Sequence, residues 1–294
     1  MNRAEPGASA SEAFKIDKPT APEVPLVFAS PHSGDQYPAD FIAAARLDPV
    51  SLRRSEDAFV DQLYAAAPRH GAPLLRALFP RAYVDPNRER LELDPRMFHD
   101  PLPDGASTRS PRVIAGLGTV AKVVTNGETI YRDKLGFDEV ERRLSRCYDP
   151  YHAALRGLIN HSLDRFGGCI LIDCHSMPSV GGPMEKDPGE NRVGFVLGDR
   201  FGASCDRTLT GFVESELQKH GHRVKRNSPY AGGFTTRHYG RPLGGVHVLQ
   251  IEVNRALYMD EDVIEKLPAF NDLQAQLTEL IAALAAQAQD LIGC

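Results

Sequence analysis

Leu26-Val27-Phe28-Ala29-Ser30-Pro31-His32-Ser33-Gly34 runs from apolar, strand-forming residues straight into turn formers. Four to eight apolar residues bounded by such formers fit one pass of a buried strand. Pro31 has no N–H to give a sheet ladder and Gly34 permits a sharp turn, so the strand ends there. His32 is thereby held at the carboxyl end of a strand, where open α/β sheets place their ligands. Gly168-Cys169-Ile170-Leu171-Ile172-Asp173-Cys174-His175-Ser176 repeats the pattern. Two strands, each delivering a histidine followed by serine at its exit, bring two imidazoles toward one rim. That pairing points to a metal site.

The rest of the chain is consistent with a frame built on those strands. Its 294 residues, 42% hydrophobic and 25% charged, describe a globular protein with a sizeable core. A net charge of −5 with the signs interspersed argues against nucleic acid or an anionic membrane as partner. No apolar run approaches the roughly 20 residues that span a bilayer. The first residues lack the apolar core of a signal peptide, so a cytoplasmic protein is expected. Five cysteines without CxxC spacing fit reduced thiols better than disulfides or a thiolate zinc site.

Residues 1–22, rich in Ala, Ser, Pro, Glu and Lys, read as a mobile leader, and 23–294 as one α/β domain. Short helices are expected over 41–46 and 54–67, the second capped by Ser55 or Asp57. Asp57 and Asp61, four residues apart, would share a face of that helix. Strands follow over 72–77 and 82–85, then a long loop over 89–115. A helix over 138–166 is expected to break near Pro150. Beyond the His175 strand come a Gly/Pro-rich loop, a strand over 192–197, a helix over 205–221, a Gly- and aromatic-rich loop over 229–240, a strand over 245–254 and a closing helix over 269–292. This alternation predicts an α/β fold, a central mixed, largely parallel sheet flanked by helices.

A catalytic zinc takes about three protein ligands from His and Asp/Glu and keeps a position open. His32, His175 and one of Asp57 or Asp61 would supply that set, although a lone His at a strand end is more often structural. Glu252 interrupts the apolar run from Val246 to Val253, and a carboxylate in a buried strand must be paired, ligating or catalytic. It reads either as a salt-bridge partner of Arg255 or as a general base. Arg88 and Arg237 read as surface charges or as forks for a substrate carboxylate. Gly116-Leu117-Gly118-Thr119-Val120-Ala121 has the form GxGxxA but lacks the acidic residue about 20 positions on that a dinucleotide site needs. Cys174 and His175, adjacent on a strand, point to opposite faces, so Cys174 is a core residue and not a nucleophile.

From Pro25 to Asp260 the chain resembles the N-formylglutamate amidohydrolase family. The resemblance is carried by Pro31-His32-Ser33-Gly34, Asp57 with Val60-Asp61, Val84-Asp85 with Asn87-Arg88, Ile130-Tyr131-Arg132, Pro150-Tyr151-His152, Asp173-Cys174-His175-Ser176, the run from Gly232 to Gly240, and Gln250-Ile251-Glu252. It implies a fold similar to zinc exopeptidases of the carboxypeptidase type. It also implies zinc or another divalent metal on His32, Asp57 and His175, with Glu252 as base and Asn87 and Arg88 gripping the substrate α-carboxylate. The implied substrate is the small molecule N-formyl-L-glutamate, cleaved to glutamate and formate in histidine breakdown. Cleavage of another N-acyl amino acid or a small peptide, and a non-catalytic carboxylate-binding role, are the alternatives. The chain departs from the family pattern at Ser55-Glu56-Asp57-Ala58-Phe59, at Cys174 where alanine is usual, and at Val253-Asn254-Arg255.

Overall fold

A computed structural model of the chain describes residues 12–183 and 185–293. Its centre is a sheet of β1 (Phe14–Asp17), β2 (Leu26–Ser30), β3 (Leu74–Ala77), β4 (Cys169–Met177), β5 (Phe195–Gly198), β6 (Val224–Arg226) and β7 (Val246–Asn254). The strand order is β1-β3-β2-β4-β7-β5-β6. Pairs β1–β3 and β5–β7 are antiparallel and the other neighbours are parallel. The sheet is therefore mixed and largely parallel, as the alternation of elements predicts.

From β2 the chain passes to β3 on one side, and it returns to β4 on the other. The order thus reverses between β2 and β4, which opens a crevice beyond their carboxyl ends. His32 follows the end of β2 there, and His175 stands near the end of β4. Every residue of β4 and of β7 is buried, as fits strands covered on both faces. Their side chains alternate: Ile170, Ile172, Cys174, Leu249, Ile251 and Val253 pack on one face with helices Arg207–Lys219 and Phe270–Leu291. Cys169, Leu171, Val246 and Val248 pack on the other with helix Asp149–Phe166. By the two-residue period Asp173, His175, Gln250 and Glu252 continue this second face toward the crevice.

Several expected elements differ. Phe14–Asp17, assigned to the leader, pairs residue for residue with Ala77–Leu74 and covers the open edge of β3; the earlier part of the leader, residues 1–11, lies outside the described residues. With β3 paired on both edges, the expected strand over 82–85 has no partner and forms a turn, the N–H groups of Tyr83 and Val84 both meeting the Pro80 carbonyl. The helix expected over 54–67 shrinks to Val60–Leu63 because Phe59 takes a left-handed φ of 65°. The loop over 229–240 holds a helix, Phe234–Tyr239. The break near Pro150 is a wide π-type turn over Leu144–Tyr148 that feeds helix Asp149–Phe166. Among the described residues no helix is long and apolar enough to cross a membrane, and Cys147, Cys169, Cys174 and Cys205 are buried free thiols.

Candidate metal centre and active site

Three loops meet at the crevice. The turn after β2 is tight because Gly34 lies against the next strand's exit: a Cβ there would come within 2.3 Å of the Phe79 carbonyl oxygen. It points His32 inward, and the Asp57 N–H donates to the His32 carbonyl at 3.0 Å, which ties the second loop to the first. Asp57 Oδ2 lies 3.2 Å from His32 Nδ1 and 3.0 Å from His175 Nδ1. One potential ligand atom from each of the three residues lies within 4.8 Å of the other two, and all three residues are buried. Two imidazole nitrogens and one carboxylate oxygen form a donor set that suits zinc and leaves a coordination position open.

The surroundings fit the same use. His32 Nε2 lies 2.8 Å from Asp85 Oδ1, and His175 Nε2 lies 3.0 Å from Asp173 Oδ2. A carboxylate behind the outer nitrogen of each ring is the usual support of a metal-bound histidine. Asp57 Oδ1 accepts from Arg255 Nη2 at 3.0 Å and lies 3.6 Å from Arg81 Nη1. Burial alone would raise the Asp57 carboxyl, but the His175 and His32 bonds and the Arg81 charge hold it well below the usual carboxylate range. Against burial, Arg81, Arg88 and His32 do the same for Asp85.

Asp61, the other candidate ligand, does not join the cluster. The left-handed Phe59 separates it from Asp57, and its carboxylate bonds Arg76 Nη1 at 3.0 Å. Glu252 stands beside His175 in the parallel register of β4 and β7 and is only 7% exposed. Arg255, its expected structural partner, pairs with Asp57 instead. The polar contact of Glu252 is with Gln250, whose Nε2 donates to Oε1 at 2.7 Å. Burial pushes the Glu252 carboxyl up to about 7, with the nearby His175 working against the rise.

The expected substrate forks separate. Arg88 is buried, its Nε donating to the Leu117 carbonyl at 2.8 Å and its Nη1 to the Asn87 carbonyl at 2.9 Å. Leu117 belongs to the GxGxxA string, whose role is thus to brace this loop. Only Nη2 of Arg88 has no hydrogen bond, 3.7 Å from Asp85 Oδ2, and burial lowers the guanidinium to about 10. Asn87 places its amide at the centre, Nδ2 3.2 Å from His175 Nε2 and Oδ1 accepting from the Thr235 N–H at 2.8 Å. Gly233 has to be glycine for this approach, since a Cβ would fall 2.4 Å from Asn87 Nδ2. Arg237 is brought elsewhere: it is exposed and paired with Glu89.

Sequence reasoning did not assign Arg81, Asp85, Asp173 or Gln250. Two of them carried a readable signal. Asp173 and Gln250 each precede a candidate residue by two positions in a buried strand and so share its face. Arg81 had none, because only the fold brings it between Asp57 and Asp85.

The model of the N-formylglutamate amidohydrolase family matches residues 24–259. A curated N-formylglutamate deformylase of Pseudomonas putida is 28% identical over 275 residues, 90% of this chain and 93% of that protein. The deformylase of Pseudomonas aeruginosa is 30% identical over 243 residues, 81% of this chain and 83% of that protein. Among solved structures, the N-formylglutamate amidohydrolase of Ralstonia eutropha JMP134 superposes with a TM-score of 0.86 at 38% identity, over 95% of this chain and 99% of that one. A gene product of Agrobacterium tumefaciens, 17% identical with a TM-score of 0.59, covers 97% of this chain and 94% of its own and shares the fold.

Proposed function

The chain belongs to the N-formylglutamate amidohydrolase family, and on that premise we propose that it hydrolyses the N-formyl amide of N-formyl-L-glutamate to glutamate and formate. The observation that carries this reading is the meeting of His32 Nδ1, Asp57 Oδ2 and His175 Nδ1 beside an unpaired, buried Glu252. A divalent cation held by those three atoms, zinc by the donor set, would polarise the formyl carbonyl and make water acidic enough to attack near neutral pH.

The chain's own residues supply the remaining steps. Gln250 occupies Glu252 Oε1, which leaves Oε2 to accept the proton of the attacking water. A carboxyl raised to about 7 holds that proton well enough to return it to the departing amine nitrogen. Arg81 donates through Nη2 to Asp85 Oδ2 at 2.8 Å and makes no hydrogen bond through Nη1. Its positive charge beside the ligand cluster stabilises the negative charge that grows on the formyl oxygen. Arg88 Nη2 and the Asn87 amide take the substrate α-carboxylate, with the rest of the Arg88 fork locked by backbone carbonyls. A guanidinium fixed in that way binds with little further loss of side-chain freedom.

Release of the free amino acid, measured over a panel of N-formyl and N-acetyl amino acids with and without chelator, tests the proposal. The expected result is selective, chelator-sensitive cleavage of N-formylglutamate. Activity that survives full removal of divalent metal, or no preference for the formyl group, would refute it.

A further inference from the structure

We propose that Asp173 is a positioning residue that keeps the Nε2 proton on His175 and so presents the Nδ1 lone pair to the cation. The inference rests on the metal reading above. Asp173 sits in the middle of β4, between Ala29 of β2 and Gln250 of β7, and is completely buried. Its Oδ2 lies 3.0 Å from His175 Nε2, and no other group donates a hydrogen bond to either of its oxygens. Among the described residues no arginine or lysine forms an ion pair with it. A bare carboxylate at zero exposure is costly, and native proteins rarely keep one without a use.

The use follows from what else faces the same nitrogen. Asn87 Nδ2 lies 3.2 Å from His175 Nε2, and the amide cannot turn over without losing the bond from the Thr235 N–H to Oδ1. An NH₂ group facing Nε2 favours a lone pair on that atom. The ring proton would then move to Nδ1, against Asp57 Oδ2, and the ligand atom would be blocked. Asp173 favours the opposite tautomer, with the proton on Nε2 and Nδ1 free. The negative charge of Asp173, 3.0 Å from Nε2 in a dry interior, holds the ring proton on that atom more strongly than a neutral amide disfavours it there. His32 has no such conflict, since its Nε2 faces only Asp85. Asp85 is shared with Arg81 and with the Asn87 N–H, whereas Asp173 serves His175 alone.

Zinc affinity of the full chain, measured by competition with a chromophoric chelator, tests this on wild type, Asp173→Asn and Asp173→Leu. Both variants should bind zinc roughly 10–100-fold more weakly, the usual effect of removing a histidine's outer carboxylate. Metal-free Asp173→Leu should melt at or above the wild-type temperature, because an unsatisfied buried carboxylate has gone. The zinc-loaded wild type should show an Nε2–H ring for His175 in histidine ¹H–¹⁵N spectra. Zinc affinities within threefold of wild type, or an Nδ1–H ring in the loaded wild type, would overturn the inference. Metal-free variants that melt lower while the zinc-induced rise in melting temperature is unchanged would do the same, by making Asp173 a scaffold residue. A wild type without zinc affinity would overturn the metal reading itself, and this inference with it.

Discussion

Replacing Glu252 by glutamine separates chemistry from architecture on one residue. The carboxyl is raised from 4.5 to about 7 because it is buried without a cation of its own. At about 1.4 kcal/mol per pH unit, that rise makes the ionised form roughly 3 kcal/mol costlier in the folded, metal-free protein than in the unfolded chain. The sign is fixed by its direction. A raised carboxyl destabilises the fold fully above about 7 and not at all below its ordinary value of 4.5. Glutamine keeps the shape and carries no charge, so metal-free Glu252→Gln should be more stable than wild type at pH 8. Near 2 cal/mol/K per residue of unfolding entropy, a chain of 294 residues gains roughly 5 °C in melting temperature. The gain should fade as the pH drops toward 4.5. The same substitution removes the proposed proton acceptor, and kcat should fall by about 10²–10⁴ with little change in KM. Thermal melts of metal-free protein at pH 5 and pH 8, metal content, and formate release together read the outcome. A variant that melts lower at pH 8 yet turns over near normally would refute the reasoning, and Glu252 would be structural.

His32→Ala, Asp57→Ala and His175→Ala should each abolish bound metal, measured by elemental analysis, while Asp61→Ala keeps it and loses only the ion pair with Arg76. Arg88→Ala should cost about 2–5 kcal/mol in kcat/KM on the free acid; wild type that cleaves the α-amide of the substrate equally well would remove that role. The pH profile of kcat/KM should rise to a plateau, because the base works only when ionised. Its midpoint should lie at or below 7, since a cation beside Glu252 draws the raised carboxyl down; a limb centred above pH 8 would assign it to another group.

The sequence by itself determined what depends on short stretches of chain. The ends of β2 and β4, with a histidine held at each, follow from apolar runs that stop at turn formers. The buried charge at Glu252 was visible because it breaks such a run, and the period of two placed Cys174 away from His175. Selection among near-equivalents was decided only by the tertiary structure. Asp57 and Asp61 look alike at a spacing of four, and a left-handed Phe59 together with Arg76 of β3 sends them to different partners. Arg255 neutralises Asp57 and leaves Glu252 without an ion pair, and Arg81 reaches the His32, Asp57 and His175 cluster with no local pattern to announce it. Local sequence governs where a strand stops and which face a side chain takes. Which charge meets which depends on contacts between segments as far apart as Asp57 and Arg255, and long-range electrostatics in a dry crevice has no signature in neighbouring residues.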